Sequence, residues 1–431
     1  MVYLPHWPIP STVGNRSIDY ETAFDRMLPV LNRLKNPHLK LPPTIHIAGT
    51  NGKGSTATFL AQIFKCNKNK VHALTSPHLH HFNERIILDG EMINNRFLYE
   101  IMEEVRLASK DAILTFMEST TIAAFLAFSK VKADILILEC NMGGRIDATN
   151  IIQDKIAAII TPISYDHEEY LGYDIRRIAL EKAMIMRPQT PLFCSSQSNE
   201  AKEIIKILAN DQNINHFYYD EDFFITKNDK GIFDFEFQNY ELKNLPKPNL
   251  QGDHQYINIA TALACISKIS QQIKISKLAI SQAIKSCKYH SRLQKIEGAL
   301  QKSLQNKESE IWIDGAHNES GAFALKKWLE ERQDEDCQNY AVVGFSHKKC
   351  RLGFLKHLND VAKLIAVRVN GEPNPENPEK IVEIARSQNI SAINQENLAQ
   401  AIDFITQKQQ KKKCRIIICG SFYLARDLVQ I

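Results

Sequence analysis

Residues 49–55 read Gly-Thr-Asn-Gly-Lys-Gly-Ser and lie between the apolar run 44–48 and a helix-like stretch, 56–64. A strand that delivers a glycine-rich turn into a helix N-terminus gathers free backbone N–H groups and the positive end of the helix dipole around one point, which suits a polyphosphate. Lys53 supplies a charge for the outer phosphates, and the hydroxyl of Ser55 or of a nearby residue reaches Mg²⁺. The usual phosphate loop sets four residues between its glycines and a hydroxyl straight after the lysine. Here Gly49 and Gly52 enclose two, and Gly54 follows Lys53.

Other stretches also carry residue types suited to chemistry. The apolar run 135–138 ends in Glu139, a carboxylate at the carboxyl edge of a buried strand, where α/β proteins bind ligands. Beside a phosphate loop it suits Mg²⁺, a hard cation that takes oxygen ligands and keeps substrate phosphates as partners; the plainer role is capping a neighbouring helix. The loop 140–150 adds Gly143, Gly144, Arg145, Asp147 and Asn150. After the run 156–161 come Asp166 and His167. Alone, His167 reads as a packing or capping histidine; with Glu139 and the phosphate loop it becomes a candidate metal ligand. Lys182 lies in a helical pattern with apolar positions Ile175, Ile178, Ala179 and Ile185, and reads as a surface lysine. The run 311–313 ends in Asp314-Gly315-Ala316-His317-Asn318, with Arg292 ahead of it. An acid and an imidazole at such a strand end suit contacts to a ligand in an interdomain cleft, or else a structural loop that Asp314 caps.

Apolar runs alternating with helical patterns would position these groups, and that alternation predicts an α/β protein with mostly parallel sheets. Strands are expected at 44–48, 71–75, 134–140, 156–161 and 191–194, with helices at 55–66, 96–110, 118–130, 174–187 and 199–210. Residues 216–240 alternate aromatic and polar types around Asn228-Asp229-Lys230-Gly231, which predicts a small antiparallel hairpin appended to the sheet. Helices at 253–270 and 276–287 precede a second βα series, with strands at 310–313, 340–345, 363–369 and 414–419 and helices at 319–331, 375–387, 395–407 and 422–429. The boundary is placed near 289–293, giving domains 1–289 and 290–431. A chain of 431 residues exceeds one ordinary core, which agrees with two domains.

Composition narrows the function. Apolar residues make up 44% and charged residues 24%, an ordinary globular balance. Lys and Arg number 53 against 49 Asp and Glu, so a nucleic-acid-coating or membrane-surface protein is not expected, despite the basic run 411–415, which reads as a solvated loop. Nine cysteines without paired spacing read as reduced thiols in a cytoplasm. No signal-like N-terminus and no run near the ~20 apolar residues of a membrane span is present.

In order along the chain, IHIAGTNGKGS (45–55), TSPHL (75–79), FNERI (82–86), LTFMESTTIAAF (114–125), LECNMGGRIDATN (138–150), DHEEYLG (166–172), EKAMI (181–185), GDHQYINIATA (252–262), SRLQ (291–294), DGAHN (314–318) and CGSFY (419–423) resemble the motifs of the folylpolyglutamate synthase and dihydrofolate synthase family, within the Mur ligase superfamily. The resemblance implies a P-loop mononucleotide-binding parallel-sheet domain with a small antiparallel appendage, then a smaller Rossmann-like α/β domain that closes over ATP and glutamate. It implies an ATP-dependent ligase: ATP phosphorylates a carboxylate, and the amine of L-glutamate attacks the acyl phosphate to form an amide. The acceptors implied are dihydropteroate and tetrahydrofolate-type folates. Polyglutamate extension alone is the first alternative, and a non-ligating nucleotide-dependent switch is the rival from another class.

Residue roles are implied position by position. Gly49, Thr50, Asn51, Gly52, Lys53, Gly54 and Ser55 would cradle ATP, with Asn258, Arg292 and Asp314 at the nucleotide. Ser76, Glu139 and His167 would hold a first Mg²⁺. Lys182 falls on the family's CO₂-carbamylated lysine, which helps hold a second ion, reversing its reading as a surface residue. His317 would act near the phosphates or the incoming glutamate. The segment 75–85 would shape the pterin pocket, with Thr75, Pro77, His78, Arg85 and Phe116 at the substrate. A monomer with small-molecule partners, without nucleic acid or membrane, is expected. The sequence departs from the family at Cys140-Asn141-Met142, at Ser291 in place of a glycine before Arg292, and at 347–350, where an acidic pair around a lysine is usual.

Overall fold

The runs rich in Ile, Leu, Val and Ala become central strands because helices cover both faces of the sheet they form, which favours continuous apolar sequence. The computed structural model describes residues 20–110, 112–269, 273–346, 351–372, 374–409 and 412–428. The chain divides into two compact units: one comprises Met1–Ser164, Glu168–Asn249 and Tyr256–Cys287, the other Tyr165–His167, Leu250–Gln255 and Lys288–Ile431.

The first unit is built on an eight-stranded sheet of β1 (Thr44–Ala48), β2 (Val71–Leu74), β3 (Ile86–Leu88), β4 (Glu91–Met92), β5 (Ile135–Glu139), β6 (Ala157–Ile160), β7 (Leu192–Cys194) and β8 (His216–Tyr218). Their spatial order is β4-β3-β2-β5-β1-β6-β7-β8. The six strands from β2 to β8 in that order are parallel, whereas β3 pairs antiparallel with β2 and β4 with β3. The exits of β2, β5, β1, β6 and β7 therefore lie side by side along one edge. One sheet face packs on helices Ala23–Arg33, Asn95–Ser109 and Phe116–Lys130 through Met27, Leu98, Ile101, Ile122 and Phe125. Farther along the same face pack Ile175–Ala183 and Asn199–Asp211 through Ile178, Ala179, Ala201 and Ile205, since Leu138, His46 and Ala158 are register partners, and helix Lys53–Cys66 covers the opposite face.

The expected appended hairpin differs in two ways. Residues His216–Tyr218 extend the main sheet as a parallel edge strand, and the appendage itself has three antiparallel strands, β9 (Phe223–Lys227), β10 (Phe233–Phe237) and β11 (Tyr240–Leu245). Phe217 and Phe237 meet edge-on at 5.0 Å, so one aromatic cluster serves both sheets.

The second unit has a sheet of β12 (Gln294–Ile296), β13 (Glu310–Ile313), β14 (Cys337–Val343), β15 (Lys363–Ala366), β16 (Ala392–Asn394) and β17 (Lys413–Cys419) in the order β12-β13-β17-β14-β15-β16, all parallel except β12. Its core gathers Trp312, Trp328, Leu325, Phe345, Phe354 and Ile417. The final helix covers Leu424–Asp427; Val429, placed in it from sequence, and the divergent stretch 347–350 lie outside the described residues. No helix among the described residues is long and apolar enough to cross a membrane. Of the described cysteines Cys66 is half-buried and the others are buried. Burial pushes the Cys194 and Cys287 thiols up to about 12.

Candidate functional site

The phosphate loop is held by the strand exit beside it. Thr50 N–H and Asn51 N–H both donate to Pro162 O, at 2.9 and 3.2 Å. Thr50 Oγ1 donates to Ser164 O at 3.0 Å and accepts from Ser164 N–H at 3.1 Å, while Asn51 Nδ2 donates to Ser164 Oγ at 3.2 Å. Gly49 lies so close to β6's exit that a Cβ there would stand 1.9 Å from Thr161 Oγ1. Gly52, at φ 83°, starts helix Lys53–Cys66, and a Cβ there would meet Asn258 Oδ1 at 2.5 Å. The two glycines therefore answer two steric demands, and Asn258 lies against the loop.

Lys53 Nζ donates to Gly49 O and Thr50 O, both at 3.1 Å. Lys182, expected from its helical pattern at the surface, is instead 4% exposed, and its Nζ donates to the same Gly49 O at 3.0 Å. Two ammonium groups converging on one carbonyl repel one another, and an anion placed between them relieves that repulsion.

Glu139 and Ser76 emerge from neighbouring parallel strands, with Leu74 opposite Leu138, and Ser76 N–H donates to Glu139 Oε2 at 3.2 Å. A buried carboxylate offers hard oxygens, which fits a Mg²⁺ ion that keeps waters and phosphate oxygens as most of its ligands. Among the described residues no group of three His, Cys, Asp or Glu side chains could hold a metal unaided. His167 belongs to the second unit, where its N–H donates to Asp166 Oδ1 at 2.9 Å.

The loop after Glu139 is organised by Asp147, whose Oδ2 accepts from Asn141 N–H and Met142 N–H at 2.9 Å each and whose Oδ1 accepts from Thr149 N–H. Burial nonetheless raises the Asp147 pKa. Arg145 binds this loop to Lys182's helix: its N–H donates to Glu181 O at 2.8 Å and its Nε to Glu181 Oε1 at 2.9 Å. The divergent Cys140 is buried at the edge of the core, with Sγ 3.1 Å from His46 Nε2 and 3.5 Å from Thr149 Oγ1. His46 Nδ1 accepts from Lys155 Nζ at 2.9 Å, and Lys155 also donates to Ile185 O at 2.8 Å. Burial, with Arg187 nearby, lowers Lys155 to about 7.

The expected acceptor residues fall into two arrangements. Arg85, almost fully buried, donates from Nε to His78 Nδ1 at 2.7 Å and lies 5.2 Å over the Phe116 ring. Phe82 meets Phe116 edge-on at 5.9 Å. Thr75 instead pairs with backbone, its N–H donating to Arg85 O at 3.0 Å, and Pro77 is exposed after a cis bond to Ser76. Glu84 gathers the turn by accepting N–H bonds from Leu79, His80 and His81; burial opposes its charge, yet those bonds keep its pKa below the ordinary carboxylate value.

In the second unit Arg292 lies between aromatic rings, 5.3 Å from Tyr289 and 5.8 Å from Phe422. Asp314 acts on the backbone, its Oδ2 accepting from Leu293 N–H and its Oδ1 from Ala316 N–H, both at 2.7 Å. It thereby fixes the turn that carries Arg292. Ser291 in that turn has φ 56°, which explains why glycine suits the position, and its buried hydroxyl has no hydrogen-bond partner. His317 Nδ1 lies 2.8 Å from Gly315 O and Nε2 3.0 Å from Asp166 Oδ2.

Sequence reasoning missed the Thr161–Ser164 dock, the roles of Asp147 and Glu84, and the rings around Arg292. Polar residues at strand exits were the available signal for the first. The Lys182 error had a signal too: its spacing of i+4 from Ile178 and i+3 from Ala179 places it on the apolar stripe.

Residues 47–266 match the Mur ligase middle domain, and residues 294–431 match the dihydrofolate synthetase C-terminal domain. The dihydrofolate synthetase of Saccharomyces cerevisiae is 29% identical over 95% of this chain and 98% of its own. The dihydrofolate synthase/folylpolyglutamate synthase of Buchnera aphidicola is 30% identical over 72% of this chain and 71% of its own. The chain belongs to the dihydrofolate synthase/folylpolyglutamate synthase family of Mur ligases. The family fold extends along nearly the whole molecule: the structure of E. coli FolC in complex with DHPP and ADP superposes with a TM-score of 0.85 at 27% identity, covering 97% of this chain and 95% of that one.

Proposed function

We propose that this chain is an ATP-dependent ligase that joins L-glutamate to dihydropteroate and to folate acceptors. The observation that carries this reading is the convergence of Lys53 and Lys182 on Gly49 O within a strand–loop–helix phosphate cradle, beside the carboxylate of Glu139. The ADP and DHPP bound in the E. coli FolC structure support it.

The acceptor carboxylate is a poor electrophile until its oxygen takes the γ-phosphoryl group of ATP and ADP leaves. Lys53 and the amides at the start of helix Lys53–Cys66 neutralise the charge that spreads in that transfer. The glutamate amine then attacks the acyl carbon, inorganic phosphate departs, and the nitrogen loses a proton. Ser76 and Glu139, with His167 as the family pattern implies, would hold a Mg²⁺ ion, which supplies charge stabilisation at the phosphates when bound. Lys182 is the candidate for carbamylation, which would turn one of the two crowded cations into an anionic oxygen ligand for a second ion. Arg292 and Asp314 are assigned to nucleotide binding, Asp314 by fixing the Arg292 turn, and His317 to phosphate or glutamate. Arg85, His78 and Phe116 are assigned to the acceptor. We take the enzyme to be cytoplasmic and monomeric.

A narrower reading, with dihydropteroate the sole acceptor, draws on the names of the yeast relative and of the C-terminal domain. One assay addresses both: purified protein with ATP, Mg²⁺ and L-glutamate is given either dihydropteroate or tetrahydrofolate, and ADP and amide product are quantified. Equal formation of ADP and amide is expected with each acceptor. Product from dihydropteroate alone selects the narrower reading, and ATP turnover independent of glutamate without amide overturns ligation.

A further inference from the structure

Gln197 stands between β7 and helix Asn199–Asp211, one residue before the helix cap Ser198. Its side chain is turned onto backbone. Oε1 accepts the N–H of Ile163 at 3.0 Å, and Nε2 donates to Thr161 O at 3.0 Å and to Ile160 O at 3.5 Å. A carboxamide carries donor and acceptor on one planar group, so it completes the hydrogen bonding of an irregular strand exit as a neighbouring peptide would.

That strand exit is the dock of the phosphate loop. Between Thr161 and Ile163, both gripped by Gln197, lies Pro162, whose carbonyl accepts both Thr50 N–H and Asn51 N–H. Thr161 meets Gly49 directly, and Ser164 exchanges bonds with Thr50 and Asn51. The exits of β7, β6 and β1 are thereby linked in series, and the phosphate loop has this as its lateral support. We propose that Gln197 is a positioning residue for nucleotide binding: it fixes the Thr161–Ser164 segment, and through it the direction in which residues 52–55 present their amides. The inference rests on the reading of 49–55 as the ATP cradle.

The test compares wild type with Gln197→Leu, which keeps the bulk and removes all three bonds, and Gln197→Glu, which keeps the acceptor for Ile163 N–H but sets a carboxylate against two carbonyl oxygens. ADP binding in the presence of Mg²⁺ is measured by titration calorimetry, and KM for ATP, KM for dihydropteroate and kcat by turnover. The expected result for Gln197→Leu is a rise of about tenfold in the ADP Kd and the ATP KM, with kcat and the dihydropteroate KM within twofold of wild type. Gln197→Glu is expected to be affected in the same direction. A merely structural role would lower the folded fraction and leave the ADP Kd of the folded protein unchanged. An ADP Kd within twofold of wild type in Gln197→Leu overturns the proposal, and if that variant does not fold, the same result in Gln197→Glu does. Wild type that fails to bind ADP overturns the cradle reading itself and this inference with it, a result distinct from an unchanged variant.

Discussion

Lys182 combines a buried position with a charge, and its carbonyl partner is shared with Lys53. If carbamylation supplies its working form, Lys182→Ala should lower ligation by about two orders of magnitude, and added acetate or formate should restore part of it; an active variant indifferent to either anion would count against carbamylation. Ser291 has the opposite problem, a side chain where none is wanted. Ser291→Gly removes both the left-handed strain and a buried unpaired hydroxyl, at a smaller entropic cost, and should stabilise the fold by about 1 kcal/mol. A lower melting temperature would contradict this. Lys155 gives a pH signature. Its folded value, about 7 through burial and the charge of Arg187, is below the ~10.4 of an unfolded lysine, so between these values the unfolded chain holds more protons and stability rises with pH. His46 and Cys140 face the same amine and share its burial. In Lys155→Met this contribution is absent, so the difference in unfolding free energy between variant and wild type should drift by about 1 kcal/mol per pH unit from pH 7 to 9; a constant difference would refute the buried-amine account.

At the scale of elements, helix Phe116–Lys130 begins with a capping box in which Thr115 and Glu118 bond reciprocally. Glu118 also receives Arg26 from helix Ala23–Arg33 through two bonds, at 3.1 and 2.6 Å. One buried carboxylate thus terminates one helix and anchors another. Glu118→Ala should cost about 3 kcal/mol, read from the urea midpoint, and a double-mutant cycle with Arg26→Ala should give a coupling above about 1 kcal/mol; additive losses would show the pair to be independent. Strands with four consecutive apolar residues, such as β5, β6 and β17, were legible because burial on both faces leaves few polar positions. The short strands β3, β8 and β16 were not, since three residues carry no period and their pairing is decided by the neighbour they meet. Glu139 and the phosphate loop were readable from their places at strand ends. The carbonyl of Pro162 was not, because backbone acceptors leave no mark in sequence, although the polar Thr161 and Ser164 beside it do.

At the scale of the whole molecule, each unit has its own sheet and its own apolar core. Cores of this size unfold as separate cooperative blocks unless they are strongly coupled. Calorimetric unfolding should therefore give a van't Hoff enthalpy well below the calorimetric one, with fluorescence and circular dichroism midpoints that differ. Coincident midpoints and equal enthalpies would mean that the two cores melt as one.

The uneven burial of the thiols has a practical consequence. Cys66 closes helix Lys53–Cys66, the helix that opens on the phosphate loop, while the other described cysteines are buried. Fourteen residues at 1.5 Å each put that thiol about 20 Å from the loop along one rigid rod. With Cys350, outside the described residues, replaced by serine, a fluorophore on Cys66 becomes a remote reporter of nucleotide arrival, outside the chemistry yet attached to the same element.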